Sequence, residues 1–448
     1  MASVPAVGLD FGTTNTVLAR VGADGRAVAT AFHHENETIT AFRSVLALWQ
    51  ELEDGGRVTR TEAGPWAIDR FIADPSDCRF LQSFKTFAAS RAFQTTTIAG
   101  KSYAFEDLLA GFFRKYREHA GVGLDGLPTS LVLGRPVTFA GNRPDPELAR
   151  TRYENAFRSV GFETFHHVYE PVAAAYYFAQ RLERDATVLV ADFGGGTSDF
   201  SVIHFAKGRQ GVTAKPLAQT GVGVAGDTFD YRIIDAVLSP RLGKGTRFKS
   251  WGKVLDVPAH YYTNFARWNE LSLLKSSRVL NELREIARDS LAKDKIEAFL
   301  EFIAADVGSA LYKAVSATKM QLSQIETARL RFADGGVSID QVIKRVDFER
   351  WIAPDIDRID RAVDAALAKA RCTEASIDKV FLTGGSSFVP AVQARFARRF
   401  GREKAETGDQ LLSIAYGLAL IGQDHDIARW CVTPQTDAAA RFDADDDI

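Results

Sequence analysis

The sequence predicts an α/β fold made of two similar halves, because one short pattern occurs twice. Val7–Asn15 reads VGLDFGTTN, and Val190–Asp199 reads VADFGGGTSD. In each copy a β-like run ends in Asp-Phe-Gly, small residues and Thr follow, and a second β-like run begins. Two such strand–turn–strand units indicate two related halves that face a shared cleft.

The residue types in both turns suit a bound phosphate. Glycine lets the backbone turn and approach a ligand closely, and successive amide N–H groups form an anion-binding concavity. Thr13, Thr14, Thr197 and Ser198 add hydroxyl donors. Two ordinary tight hairpins are the alternative interpretation. It would explain a single copy about as well, but it explains two copies poorly.

An aspartate stands where each first strand gives way to its turn. Asp10 and Asp192 would repel a phosphate unless a cation lay between them, and Mg²⁺ is commonly held by one or two carboxylates, waters and phosphates. The runs after the turns, Thr16–Ala19 and Phe200–Ile203, are β-like. The pattern is therefore neither a Walker loop nor a Rossmann fingerprint, since both of those lead into a helix.

Composition limits the classes of protein that fit. A chain of 448 residues is long enough for two lobes, and a net charge of −2 gives no indication of a nucleic-acid partner. The three cysteines, Cys78, Cys372 and Cys431, form no metal or disulfide pattern. We expect no membrane partner, no signal peptide and a cytoplasmic location, because neither a leader nor a long apolar run is present.

Periodicity predicts further elements along the chain. In the first half they are a strand pair near 92–104, a helix over Phe105–His119, a strand over Thr129–Gly134, a helix over about Pro146–Val160 and a helix that opens at Glu170. In the second half they are long helices near 264–292 and 295–323, a hairpin turning at Asp334–Gly336, a helix over Phe348–Ala370, a strand over Lys379–Thr383 and a helix that opens near Pro390.

Three more segments complete a resemblance to a known family. Glu170–Ala174 reads EPVAA, Gly226–Asp230 reads GDTFD, and Leu382–Ser387 reads LTGGSS. Together with the two turns, and in this order, they resemble the actin-like ATPases and in detail the seventy-kilodalton heat-shock protein (DnaK-type) family, over roughly residues 5–425. The resemblance implies an α/β actin-like ATPase fold with a ribonuclease H-like duplication, in which two lobes with subdomain insertions surround a nucleotide cleft.

The resemblance also implies a domain organisation. We expect lobe I over 1–184 with an insertion at about 49–127, and lobe II over 185–425 with a mostly helical insertion at about 233–319. Residues 426–448 are acidic, and we expect a disordered tail there. We expect no peptide-binding domain in the sequence after lobe II.

By resemblance, ATP or ADP with Mg²⁺ is the expected cofactor. Asp10 and Asp192 would hold Mg²⁺ largely through its waters. Lys85 would balance charge by the γ-phosphate, and Glu170 and Asp199 would orient or deprotonate the attacking water, with Thr197 beside them. The nucleotide-contacting residues implied are Gly12, Thr13, Thr14, Asn15, Gly194, Gly195, Gly196 and Thr197 at the phosphates, Gly226 near them, Gly384, Gly385 and Ser386 by the ribose and adenine, and Lys319 and Ser323 on the adenosine side.

Other interpretations of individual residues remain open. Lys85 and Lys319 have the surface lysine as an alternative, and Glu170 has the acid that stabilises a helix start. Ser316, Met320 and Phe388 occupy positions where the family commonly has Glu, Arg and Arg, so the adenine contacts differ from the family pattern.

The function that the resemblance implies is slow ATP hydrolysis by a chaperone-type ATPase whose lobes close around nucleotide. The alternatives are a sugar or acetate kinase on the same core, a filament-forming ATPase, and a nucleotide sensor with weak catalysis. The sequence identifies no client protein or co-chaperone.

Overall fold

The structure is a computed structural model that describes residues 6–53, 56–74, 78–124, 126–139, 143–208, 211–267, 271–305, 307–407 and 411–432. The chain divides into two compact units. The first unit comprises Met1–Gly223, Ile359–Ser387 and Gln393–Ile448, and the second comprises Val224–Arg358 and Phe388–Val392. The tail expected to be disordered over 426–448 begins with a 3-10 turn over Ile427–Trp430 in which Trp430 is buried, so the prediction is wrong for its first residues. From residue 433 onward the tail lies outside the described residues. No described helix is long and apolar enough to cross a membrane.

The first part of the chain alternates short strands with helices. Its elements are β1 (Ala6–Phe11), β2 (Asn15–Val21), β3 (Ala27–Ala29), β4 (Phe32–His34), β5 (Glu37–Ile39), β6 (Phe42–Arg43), β7 (Val45–Glu53), β8 (Gly56–Ala63), α1 (Gly64–Ala73), β9 (Cys78–Gln82), β10 (Thr95–Ile98), β11 (Lys101–Ala104), α2 (Phe105–Ala120), β12 (Ser130–Arg135), α3 (Pro146–Arg158), β13 (Thr164–Tyr169) and α4 (Glu170–Ala179).

The remaining part begins with long strands and continues mainly as helices. Its elements are β14 (Ala186–Phe193), β15 (Ser198–Gly208), β16 (Gly211–Val222), α5 (Gly226–Val237), β17 (Arg247–Ser250), β18 (Lys253–Asp256), α6 (Ala259–Ala266), α7 (Ser277–Asp289), α8 (Lys293–Ala305), α9 (Gly308–Gln324), β19 (Thr327–Asp334), β20 (Val337–Lys344), α10 (Arg345–Ala370), β21 (Lys379–Thr383), α11 (Pro390–Phe400), β22 (Ala405–Thr407) and α12 (Ser413–Ile421).

The first unit contains two sheets with the same topology. One has the strand order β3-β2-β1-β12-β13, and the other has the order β16-β15-β14-β21-β22. In both sheets the first three strands pair antiparallel and the last two join in parallel. The repeated order and direction confirm the duplicated α/β fold predicted from the twin motifs.

Helices α4 and α12 pack against these sheets through small residues. A Cβ added at Gly417 of α12 would lie 1.7 Å from the carbonyl oxygen of Ala173 in α4. A Cβ at Gly8 of β1 would lie 2.3 Å from the amide nitrogen of Ala419. Backbones this close leave no room for a side chain, so glycine at these positions sets how near α12 lies to both its neighbours.

Helix α2 confirms the prediction for Phe105–His119 and supplies an aromatic core. Its predicted apolar face is buried: Leu108, Leu109, Phe112, Phe113 and Tyr116. The hydroxyl of Tyr116 accepts a hydrogen bond from the backbone amide of Leu18 at 3.0 Å. This bond ties α2 to β2, the second strand of the first motif.

The prediction of two long helices near 264–292 and 295–323 is wrong, because α6, α7, α8 and α9 occupy this stretch with breaks between them. Ser276 caps α7, since its hydroxyl accepts from the amide of Val279 at 3.4 Å. Ser290 after α7 has extended backbone angles. A new helix starts at Gly308, where a Cβ would lie 2.1 Å from Leu271 Cδ2.

We predict that Gly417→Ala lowers the free energy of unfolding by about 3 kcal/mol, because the new methyl group forces α4 and α12 apart. Gly111→Ala is the matched control, since Gly111 is also helical and its Cβ would meet nothing within 4 Å. That control should stabilise the protein by about 0.5–1 kcal/mol. Urea denaturation followed by circular dichroism measures both. Equal stability of Gly417→Ala and wild type would contradict the packing described.

Candidate functional site

The two Asp-Phe-Gly motifs form the same turn. The amide of Gly12 donates to the carbonyl of Asn15 at 2.9 Å, and the amide of Gly194 donates to the carbonyl of Thr197 at 3.0 Å. The strand pairs differ in one position. Asp10 pairs with Val17 across β1 and β2, whereas Asp192 pairs with Asp199 across β14 and β15. The second motif therefore places two carboxylates opposite each other, and the first places one.

The turns lie directly against each other within the first unit. A Cβ added at Gly195 would lie 2.9 Å from Thr14 Oγ1 and 3.3 Å from Thr13 Cβ. A Cβ at Gly196 would meet nothing within 4 Å, so its backbone faces open space. The predicted phosphate-binding residues of the two motifs are thus brought together with exposed backbone between them.

Lys85 and Glu170 form a buried ion pair, with 2.8 Å between Nζ and Oε1 and side chains 9% and 8% exposed. Ser83 has a positive φ of 48° and turns the chain into a short 3-10 turn over Phe84–Phe87 that carries Lys85 inward. Glu170 is the first residue of α4. Burial alone would lower the pKa of Lys85, but the Glu170 carboxylate raises it above its usual value. Lys85 therefore stays charged, unlike the solvated lysine of the alternative interpretation.

Three aspartates surround this pair. The side chain of Asp10 is half-buried. Burial by the surrounding protein raises its pKa to about 7, and the negative charge of Glu170 raises it further. Burial raises the pKa of Asp192 well above its usual value, and repulsion from Glu170 and Asp10 adds to it. Burial and Glu170 also raise the pKa of Asp199 to about 7. Burial is the main cause of all three pKa shifts and the nearby Glu170 carboxylate adds to each, so four carboxyl groups lie around a single ammonium group.

Asp199 is held by contacts that the sequence did not reveal. Its Oδ1 accepts from the backbone amide of Thr138 at 3.2 Å, and its Oδ2 accepts from Thr197 Oγ1 at 3.0 Å. A Cβ at Gly221 would lie 2.6 Å from Asp199 Oδ1. Every residue except proline has a backbone amide, so the sequence could not identify Thr138 as the donor to Asp199. The glycine at position 221, in the run Gly221-Val222-Gly223, was the one sequence feature that could have indicated a close contact there.

The LTGGSS segment lies against the second turn. Gly384 has a positive φ of 79°, and a Cβ there would lie 2.3 Å from the carbonyl oxygen of Phe193 and 2.8 Å from Asp192 Oδ1. Ser386 donates from Oγ to the carbonyl of Gly194 at 3.1 Å. A Cβ at Gly385 would meet nothing within 4 Å. The structure thus brings this predicted segment next to Asp192.

The second unit holds the remaining predicted residues. Lys319 of α9 donates to the carbonyl of Gly226 at 3.0 Å and to Asp230 Oδ2 at 2.8 Å. Ser323, one turn further along α9, donates to the carbonyl of Lys319 at 3.2 Å. The structure brings Gly226, Lys319 and Ser323 together, and Lys319 bridges α9 to the start of α5.

Two of the positions that depart from the family pattern are solvent-facing. Met320 is 63% exposed and Phe388 is 44% exposed, whereas Ser316 is half-buried on α9. The side chains at these positions carry no charge, so they offer neither the carboxylate nor the guanidinium that the family commonly has there.

Comparison with known proteins gives one family. A family model described as Hsp70 protein matches residues 79–244 and 301–426. The chain is 26% identical to heat shock 70 kDa protein 7, chloroplastic, of Arabidopsis thaliana, over 96% of this chain and 54% of that protein. It is 25% identical to the stromal 70 kDa heat shock-related protein, chloroplastic, of Pisum sativum, over 97% of this chain and 56% of that protein.

A bacterial relative is similarly distant. A chaperone protein DnaK of Thermus thermophilus is 27% identical, over 96% of this chain and 63% of that protein. The chain thus spans about half the length of the plant relatives and somewhat more of the bacterial one.

The raised pKa values of Asp10 and Asp199 predict a pH dependence of stability. The folded protein keeps protons on these groups up to about pH 7, whereas the unfolded chain releases them near pH 4. Stability of the nucleotide-free protein should therefore fall as pH rises from about 4 to about 7, by about 1 kcal/mol per pH unit for each group, and level off above that range. Asp199→Asn should reduce this slope in melting temperature measured without divalent cations.

Glu183→Gln is the control for this measurement, because Glu183 is exposed and should leave the slope at its wild-type value. An Asp199→Asn slope equal to that of wild type would show that the carboxyl of Asp199 is not protonated in the folded state at neutral pH.

Proposed function

The chain belongs to the Hsp70 family, and from this premise we propose that it binds Mg-ATP at the paired turns and hydrolyses it slowly. The observation that carries the proposal is the buried Lys85–Glu170 pair, 2.8 Å apart, next to Asp10, Asp192 and Asp199. A single ammonium group among buried carboxylates, beside two glycine turns, is an arrangement suited to a metal-bound polyphosphate.

The donor set fits Mg²⁺, which takes oxygen ligands and keeps several of its waters. No group of three or more His, Cys, Asp or Glu side chains that could hold a metal ion occurs in the described part of the chain. The proposed ion therefore depends on Asp10 and Asp192, on water and on phosphate oxygens. When bound, it would neutralise the crowded carboxylates and the charge on the phosphates.

The turn residues would bind the phosphates. The hydroxyl groups of Thr13 and Thr14 and the amides of Gly195 and Gly196 would supply donors without bringing further negative charge. The amides of Gly12 and Gly194 donate within their own turns, and the Thr197 hydroxyl donates to Asp199, so these residues would shape the turns around the phosphates. Asn15 closes the first turn through its carbonyl, which accepts from Gly12 at 2.9 Å. These contacts would place the terminal phosphate near Lys85, whose positive charge opposes the negative charge that develops during transfer.

Water activation would fall to Glu170 and Asp199. A general base works best when its pKa lies near the working pH, and the pKa of Asp199 is raised to about 7. Its hydrogen bonds from Thr138 and Thr197 fix the orientation of the carboxylate. Phosphoryl transfer depends chiefly on such positioning, so rigid support of these carboxylates is central to the proposed activity.

By the family resemblance, Gly384, Gly385 and Ser386 would contact the ribose and adenine, and Lys319 and Ser323 would contact the adenosine. We propose that lobe I (1–184) and lobe II (185–425) close around the nucleotide, since hinge closure around ligands is a common switching mode. The uncharged side chains at Ser316, Met320 and Phe388 lead us to propose weaker adenine and ribose contacts than in longer relatives.

Two stretches of the sequence support a comparison with one particular member of the family. Leu81–Phe87 reads LQSFKTF and Leu133–Val137 reads LGRPV, and both resemble the short bacterial chaperone-family protein YegD. We propose a chaperone-related role of that type. A client protein and a co-chaperone would be its partners, and the cytoplasm its location.

We predict that Glu170→Gln lowers ATP turnover about 100-fold while the Kd for Mg-ATP changes by less than about threefold. The amide keeps the shape of the side chain and a hydrogen-bond acceptor for Lys85, but it cannot take a proton from water. Phosphate release in single-turnover assays and isothermal calorimetry measure the two quantities. Glu163→Gln, an exposed glutamate of the same unit, is the control and should behave as wild type.

Two results would count against the proposal. Wild-type protein that fails to bind Mg-ATP would remove its basis. Turnover that appears only after a sugar or acetate is added would favour the kinase alternative instead.

We predict that Lys319→Met weakens Mg-ATP binding about tenfold with little change in turnover at saturating ATP, because it removes a charge that supports binding rather than chemistry. Lys313→Met is the matched control, since Lys313 is exposed on the same helix. Equal Kd values for the two variants would exclude Lys319 from the nucleotide site.

A further inference from the structure

A small cavity in the first unit takes no part in the ATP site proposed above. Its volume is about 90 Å³, which suffices for about three water molecules or one small oxyanion. Its polar wall residues are Arg135, Glu147, Arg150, Tyr153, His166 and His167. Arg135 belongs to the LGRPV stretch, whose arginine has no role in the proposed hydrolysis.

Tyr153 supplies the clearest indication of a ligand. It is 1% exposed, and its hydroxyl has no hydrogen-bond partner among the described residues. The ring packs edge-on against Phe11 and Phe105, with centroids 6.1 Å and 5.8 Å away, so its position is fixed. Buried hydroxyl groups are nearly always hydrogen-bonded, and this one lines a cavity that can hold a partner.

Arg135 places a positive charge on the same wall. It is 4% exposed, and its guanidinium lies over the rings of Phe139 and Tyr169 at 4.9 Å and 5.1 Å. Its Nε donates to the carbonyl of Pro136 at 3.2 Å. The two rings hold the guanidinium in place, and a planar guanidinium is well suited to oxyanions.

The other titratable groups described near this wall add little negative charge to the cavity. Glu154 accepts from Arg150 at 3.0 Å and from His167 at 3.1 Å, so its negative charge is matched by these neighbours. Glu147 is exposed at the rim. Burial lowers the pKa of His166, which makes it a neutral polar group beside the Cys431 thiol. Arg135 thus contributes a buried positive charge, and Glu154 and Glu147, the acids described beside this wall, are paired and exposed respectively.

We propose that this cavity is a second anion site that binds inorganic phosphate or another tetrahedral oxyanion, with Arg135 and the Tyr153 hydroxyl as its donors. Tyr153 also interacts electrostatically with Lys85 and Glu170, so the cavity neighbours the pair assigned to hydrolysis. A role for the site in holding phosphate released from ATP rests on the proposed function. The affinity of the cavity for free phosphate does not depend on ATP hydrolysis.

The test titrates inorganic phosphate into the nucleotide-free full chain by isothermal calorimetry. Tyr153→Phe should weaken phosphate binding about tenfold, because it removes one hydrogen bond to a charged ligand. Arg135→Lys should weaken it as well, since an ammonium group loses the bidentate contact. The melting temperature of Tyr153→Phe should equal or exceed that of wild type, since the lost hydroxyl has no protein partner among the described residues.

Glu183→Gln, an exposed glutamate outside both sites, is the control and should leave this phosphate affinity unchanged, as should saturating Mg-ADP, which blocks the phosphate turns. Loss of phosphate binding with Mg-ADP, or equal affinity of Tyr153→Phe and wild type, would overturn the proposal. Crystals soaked in tungstate should show the anion between Arg135 and Tyr153, and a cavity without tungstate would also overturn it. A protein that binds phosphate through Tyr153 but does not bind Mg-ATP would refute the ATPase proposal alone.

Discussion

The structure depends on one electrostatic constraint, which is that Lys85 shares a small buried volume with Glu170, Asp10, Asp192 and Asp199. Carboxylates this close repel one another strongly where water is excluded. They stay together because rigid strands and helices hold each of them, near the ends of β1 and β14 and near the starts of β15 and α4. The close approach of α4 and α12, which leaves no space for a Cβ at Gly417, is part of that rigidity.

Duplication explains how such a cluster is assembled. The two sheets share one strand order, so β1 and β14 end at equivalent places and each presents an aspartate. The two halves differ at the position that faces the aspartate. Val17 stands opposite Asp10, but Asp199 stands opposite Asp192, and Thr138 and Thr197 hold Asp199 by hydrogen bonds. A duplicated scaffold thereby places a second carboxylate on one side only, and this is the carboxylate proposed above to accept a proton from water.

Most of the structural features that the sequence could predict are formed by residues close together in the chain. The twin turns, the buried face of α2 and the strand over Lys379–Thr383 each lie within a short window where periodicity and glycine placement are informative. The Lys85–Glu170 contact joins residues 85 positions apart, and spacing alone gives no reason to pair them. The breaks that separate α6–α9 depend on single residues such as Ser276, whose capping role a charge-rich helical pattern conceals.

One strand end connects the buried carboxylates around Lys85 with the cavity lined by Arg135 and Tyr153. Successive residues of a strand face opposite sides of a sheet, so Gly134 and Arg135 at the end of β12 point in opposite directions. A Cβ at Gly134 would lie 3.2 Å from Glu170 Cγ, whereas the guanidinium of Arg135 lies over the ring of Tyr169. Tyr169 pairs with Arg135 across β12 and β13, and it immediately precedes Glu170. A shift of the β13 end that moved Glu170 would therefore also move one wall of the cavity, so the geometry of one site constrains the other.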